Sequence, residues 1–179
     1  MLKDGSTGRP AVGPSIEPVF VLGVDPGLSR CGYCVLDAGG RRPRAVALGV
    51  LRTAPADPVP LRLAELAADF RSLLDEFRPA SVAVERVLFQ VNVRTAMGVG
   101  QASGVLMAEA AGRGLEVVEY SPNEVKGAVA GDGDADKDQV QRMVQILLDL
   151  PVAPSPPDAA DAAAVALTHV AVSPGLVAR

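Results

Sequence analysis

The chain has 179 residues, 49% hydrophobic and 21% charged, with a formal net charge of −4. That length supports one compact domain with a substantial core and no need of disulfide or metal staples. The mild acidity argues against non-specific polyanion binding while leaving room for a local basic groove, and 3% aromatic residues are too few for a base-stacking platform.

Residues 1–18, "MLKDGSTGRPAVGPSIEP", are rich in Gly, Pro and Ser without a period and are expected to be a disordered extension. No basic leader precedes an apolar run and no stretch has membrane-spanning length, so a cytoplasmic protein without membrane contact is expected. "VFVLGVD" (19–25) is a continuous apolar run, the pattern of a strand buried on both faces. "RCGYCVLD" and "RAVALGVLR" follow across the turn signal "AGGRRP", which predicts a three-stranded meander.

Residues 59–78 carry helical periodicity through Leu61, Leu66, Phe70 and Leu74 and stop before Pro79. "SVAVERV" (81–87) predicts a strand, and about 93–112 a long helix containing Gly98, Gly100 and Gly104. The strand "LEVVEY", a short helix after Ser121-Pro122, an acidic glycine loop, a helix near 136–149 and a closing helix from about 158 complete the order. A mixed sheet with helices on both faces is the simplest packing of these elements, in a single domain over 19–173 with a tail at 174–179.

Cys31 and Cys34 form a CxxC that invites a redox or zinc reading. On a strand, however, positions three apart face opposite ways with Cα atoms about 10 Å apart, beyond disulfide reach. No second CxxC completes a zinc site. Both cysteines are expected to be buried strand residues.

The chemistry is carried by carboxylates. Asp25 ends the first apolar strand in "GVDPG", where it either forms the turn or sits as a ligand at the sheet's carboxyl edge. Glu85 ends "SVAVE" in the same way. If the two strands lie parallel and adjacent, the two acids come within one strand spacing, about 4.8 Å, and raise each other's pKa unless a cation lies between them. Asp158 and Asp161 mark the first turn of the closing helix. As N-cap and N3 residues they would serve the helix itself, but their spacing also puts both on one face. Four acids with no Cys or His among them would suit a hard cation such as Mg²⁺ or Mn²⁺ rather than zinc.

In this order, "VLGVDPGLSRCGYCVL", "VAVERVLFQVNVRTAMGVGQASGV", "NEVKGAVAGDGDADKDQVQRMV" and "DAADAAAVALTH" resemble the RuvC family of Holliday-junction resolvases. The resemblance covers about residues 19–172. It implies an α/β, RNase H-like fold with a mixed five-stranded sheet, and a homodimer that nicks four-way DNA junctions symmetrically in recombination and repair. It further implies a partnership with the RuvAB branch-migration complex. The family's catalytic, metal-binding tetrad falls on Asp25, Glu85, Asp158 and Asp161, with two Mg²⁺ or Mn²⁺ ions expected per site. Lys126 and Lys137 match lysines beside the scissile phosphate, and Arg86 and Arg94 are further candidates for DNA contacts.

Two departures stand out. Many relatives place an aromatic three residues after the catalytic Glu; here that residue is Leu88 and the aromatic is Phe89, so either could act as the wedge at the junction. The loop "GDGDADKD" begins like a calcium loop, but Lys137 and Met143 occupy positions that such a loop reserves for Gly and a bidentate Glu. The loop is expected instead to tune the electrostatics beside Lys137. The glycines of "MGVGQASG" lie within a helix and lack dinucleotide spacing; they are expected to permit close helix packing, as at a dimer interface. His169, three turns beyond Asp158, is expected to be structural. Three other readings stay open: an RNase H-like nuclease with a different substrate, a non-catalytic junction-binding module, and a sugar kinase or actin-like ATPase, for which the chain is short and lacks a second phosphate loop.

Overall fold

A computed structural model describes residues 18–87 and 93–173, the side chains of 93–95 excepted. The expected extension up to residue 17 and the tail at 174–179 lie outside the described residues. Strands β1 (Phe20–Asp25), β2 (Arg30–Asp37) and β3 (Arg44–Arg52) form the antiparallel meander that the turn signals predict. Then come α1 (Val59–Phe77), β4 (Ser81–Glu85), α2 (Val93–Ala111), β5 (Glu116–Tyr120), α3 (Pro122–Ala130), α4 (Lys137–Leu147) and α5 (Pro157–Val172). The sheet order is β3-β2-β1-β4-β5, with β4 parallel to both β1 and β5.

Side chains alternate across this sheet with a period of two. Val21, Cys34, Leu36 and Ala83 pack toward α3, α4 and α5. Leu22, Val24, Cys31, Val82 and Val84 pack toward α1 and α2 on the other face. The two cysteines therefore face opposite ways, both free and both buried, and burial pushes their thiols up to about 12.

Helix α1 differs from its predicted face. Leu61 is 63% exposed, whereas Arg62 is 8% exposed and joins Leu66, Phe70, Leu73 and Leu74 in the buried stripe. The spacing explains this: 62, 66 and 70 are each four apart, while 61 and 66 are five apart and fall on different faces.

Helix α5 lies unusually close to the sheet. Its inner surface is almost all alanine, with Ala159, Ala160, Ala162, Ala163, Ala164 and Ala166 buried. Opposite them β1 and β2 offer Gly23 and Gly32. A Cβ at Gly23 would stand 2.3 Å from the Ala162 carbonyl oxygen and 2.6 Å from Ala166 Cβ, and one at Gly32 would stand 2.0 Å from the Asp158 carbonyl oxygen. Neither distance is possible between non-bonded atoms, so glycine at both positions is what lets the helix backbone rest on the strands. In α2, by contrast, a Cβ at Gly98 would make ordinary contact with Leu28, while one at Gly100 or Gly104 would meet nothing within 4 Å. Among the described residues, then, Gly100 and Gly104 make no close packing contact, and the expectation of one at a dimer interface stays open.

His169 sits at the far end of α5, 1% exposed, with ring nitrogens 2.9 Å from Ser81 Oγ and 2.8 Å from Tyr120 Oη. It is structural, as expected.

Gly23→Ala should force α5 away from β1. Overpacking of this kind costs about 1–3 kcal/mol or more, and each kcal/mol lowers Tm by roughly 2–4 °C in a domain of this size. Calorimetric melting of the purified variant checks it.

Candidate active site

Asp25 and Glu85 are the last residues of β1 and β4, each one step beyond the register pair Val24↔Val84. Alternation puts both on the α5 face of the sheet, in line with Val21 and Ala83. Burial raises the pKa of each. Asp25 is pushed up to about 8, first by desolvation, then by the charges of Glu85 and Asp161, a hydrogen bond with Glu85, and Asp158. Glu85 is raised by desolvation and by Asp161, while the Asp25 hydrogen bond and Lys137 act in the opposite sense. Burial and the neighbouring acids both favour the protonated form of Asp25, with Glu85 as its hydrogen-bond partner.

The close seat of α5 brings the second pair of acids to the same edge. The capping expectation for these residues is not met: Pro156 is the N-cap, without a side-chain cap bond, and Pro157 is the first helical residue. Asp158 and Asp161 are thereby free to face outward partners. Asp158 pairs with Arg30, the first residue of β2. Asp161 pairs with Lys137, whose Nζ is 2.7 Å from Asp161 Oδ2.

Local sequence fixes those partners. Asp136 caps α4, accepting from the Gln139 N–H at 2.8 Å, while its own N–H donates to Gln139 Oε1 at 2.8 Å. The acidic loop thus starts the helix that carries Lys137 in its first turn. Burial alone would lower the Lys137 pKa, but the hydrogen bond and charge of Asp161, with Asp25 and Asp158, raise it. In α3, Ser121 and Glu124 form a second capping box, with Ser121 Oγ accepting from the Glu124 N–H at 3.3 Å. Lys126 and Lys137 then line one cavity of about 310 Å³ with Glu85 and Asp161.

The other candidates separate. Arg86 is exposed and its guanidinium leans on the Glu119 carbonyl at 3.4 Å, outside that cavity's lining. Leu88 and Phe89 lie outside the described residues, as does the side chain of Arg94. Arg30 is the residue that sequence reasoning missed. Its signal was faint: a charged residue opening an otherwise apolar strand, five positions after Asp25.

Among the described residues no three His, Cys, Asp or Glu side chains are arranged to hold an ion as they stand. Asp158 and Asp161 are drawn onto Arg30 and Lys137 instead. The donor set nonetheless fits a hard divalent cation. It is all carboxylate, and burial together with the neighbouring acids disfavours the charged form of Asp25, a condition that a cation among the acids would relieve.

The chain's sequence matches the family model of the crossover junction endodeoxyribonuclease RuvC over residues 21–169. The chain belongs to the RuvC family. A relative from Parafrankia sp. (strain EAN1pec) named crossover junction endodeoxyribonuclease RuvC is 54% identical over 157 residues, which is 87% of this chain and 88% of that one. The Thermus thermophilus RuvC structure is 36% identical, with a TM-score of 0.81, over 88% of this chain and 96% of its own. The T. thermophilus RuvC in complex with Holliday junction substrate is also 36% identical, with a TM-score of 0.83, over 89% of this chain and 97% of its own. The RuvC-like fold agrees with the RNase H-like, five-stranded mixed sheet expected from the motifs.

The raised Asp25 pKa makes the metal-free protein pH-sensitive. A carboxyl whose folded pKa of about 8 exceeds its unfolded value of about 3.9 binds more protons when folded. Stability therefore falls as pH rises between those values. Asp25→Asn should therefore raise Tm by an amount that is smallest near pH 4 and grows steadily up to about pH 8, measured by thermal denaturation in a chelator.

Proposed function

We propose that this chain is a structure-selective endonuclease that resolves four-way DNA junctions by metal-dependent phosphodiester hydrolysis. The reading is carried by the convergence of Asp25, Glu85, Asp158 and Asp161 on one sheet edge, in a member of the RuvC family. These four carboxylates would hold two Mg²⁺ or Mn²⁺ ions, which would supply Lewis-acid chemistry for in-line attack on the phosphodiester.

The chain's own residues prepare that chemistry. The β1 and β4 ends fix Asp25 and Glu85 on adjacent parallel strands, so their separation is set by the sheet. The first turn of α5, fixed by its alanine face, closes the set from above. Lys126 and Lys137 place positive charge in the cavity beside Glu85 and Asp161, where the scissile phosphate would sit. Arg86, Leu88, Phe89 and Arg94 are proposed to meet the DNA beyond that point. A homodimer is proposed on symmetry grounds, since a four-way junction offers two equivalent strands and a two-fold dimer two equivalent sites. Cooperation with RuvAB and action in the cytoplasm belong to the same proposal. Among the described residues no helix is long and apolar enough to cross a membrane.

A synthetic four-way junction with Mg²⁺ or Mn²⁺ tests the reading. Wild type should nick two symmetrically placed strands, while Asp25→Asn should bind the junction and lose at least about a hundredfold in cleavage rate, the scale on which a single electrostatic group acts. Equal cutting by both proteins would overturn the site.

A further inference from the structure

One buried cation near the carboxylates has no carboxylate partner among the described residues. Arg62 is 8% exposed, an uncommon setting for a guanidinium, which stays charged at any physiological pH. Its Nε donates to Thr53 Oγ1 at 2.9 Å and one Nη to Ser29 Oγ at 2.5 Å. Thr53 Oγ1 in turn donates to the Leu28 carbonyl at 2.6 Å. All of these partners are neutral. The ion pairs among the described residues use Arg30, Arg71, Arg113 and Lys137, not Arg62. Buried charges are ordinarily paired, and two hydroxyls satisfy some of the N–H groups while leaving the charge uncompensated.

Arg62 lines a cavity of about 390 Å³ together with Leu28, Ser29, Arg30, Gly98 and Val99. Among the described residues no acidic side chain lines it, and two of its walls are arginines. The cavity adjoins the carboxylates, because Arg30 both lines it and reaches Asp158. Its floor is the loop that follows Asp25, and Gly98 of α2 lies beside Leu28 without a side chain to fill the space. Lys126 and Lys137 stand on the β4 side of the carboxylates, whereas Arg30 and Arg62 stand on the side of β2 and β3.

We propose that this cavity is a second phosphate subsite, in which Arg62 and Arg30 bind a DNA backbone phosphate other than the scissile one. A strand crossing the sheet edge is then held on both sides of the carboxylates: at Lys126 and Lys137, and again at Arg62. The subsite rests on the junction-nuclease reading, because that reading brings the strand to this edge. Its role is to fix the register of the strand, as phosphate contacts do.

The test uses the full chain and a synthetic four-way junction in chelator, so that binding is measured without cutting. Dissociation constants across a series of KCl concentrations, together with phosphate-ethylation interference, are read for wild type, Arg62→Gln, Arg62→Lys and Arg30→Gln. Arg62→Gln should bind several-fold more weakly and lower the slope of log affinity against log salt by about 0.9, the value for one lost contact on duplex DNA. It should also lose one ethylation-sensitive position distinct from the scissile phosphate. Arg62→Lys should retain the slope, and the more exposed Arg30→Gln should weaken that same position. The subsite is overturned if Arg62→Gln keeps the wild-type slope and interference pattern. It is equally overturned if Arg62→Gln and Arg62→Lys weaken binding alike with no single position lost, which would make Arg62 a strut between β3 and the Asp25 loop. Wild type failing to bind any junction would instead sink the nuclease reading itself, and the subsite with it.

Discussion

The contact between α5 and the centre of the sheet governs the rest of the molecule. A helix faced with alanine resting on strands that carry Gly23 and Gly32 brings two backbones closer than larger side chains would allow. That closeness is a geometric requirement of the site. Two carboxylates belong to strand ends and two to a helix start, and only a helix seated directly on the strands can bring the second pair to the first. The glycine between Cys31 and Cys34 is therefore a site-building residue, although it carries no functional group.

The same closeness creates an electrostatic problem. Four acids at one edge cannot all be charged without compensation, and the protein answers in three ways. Desolvation and repulsion favour the protonated form of Asp25, Lys137 engages Asp161 and Arg30 engages Asp158. Each is a substitute for positive charge between the acids. A divalent cation bound there would compete with all three, which would link metal occupancy to proton release and to the freeing of Lys137 and Arg30. The basic residues around the site are thus partners of the carboxylates as well as candidates for DNA contact, in a chain whose overall charge is negative.

Most of the architecture was legible in the sequence, because continuous apolar runs, turn signals and capping patterns are local. The strands at 30–37 and 44–52 match their predicted bounds, and the meander follows from the turn between them. Asp25 and Glu85 were readable because an acid ending an apolar strand is conspicuous. Asp158 and Asp161 were harder, since an acid in a helix's first turn is equally a sign of capping. Only the prolines at 156 and 157, which take the cap and first positions, decide against that reading. Arg62 gave no sign of burial because Leu61 beside it satisfied the apolar pattern, and burial of a charged residue depends on distant partners, here Ser29 and Thr53, which no local period records. The depth of α5 is likewise invisible locally: the glycines and alanines that permit it lie far apart in sequence.

The most direct measurement of the central claim is metal binding itself, by Mn²⁺ titration followed by electron paramagnetic resonance in the absence of DNA. Wild type should bind Mn²⁺ at a site that Glu85→Gln and Asp161→Asn each weaken severely, while both variants keep the wild-type fold by circular dichroism. Folded variants that bind Mn²⁺ as tightly as wild type would contradict the account, because the four acids would then not form one metal site.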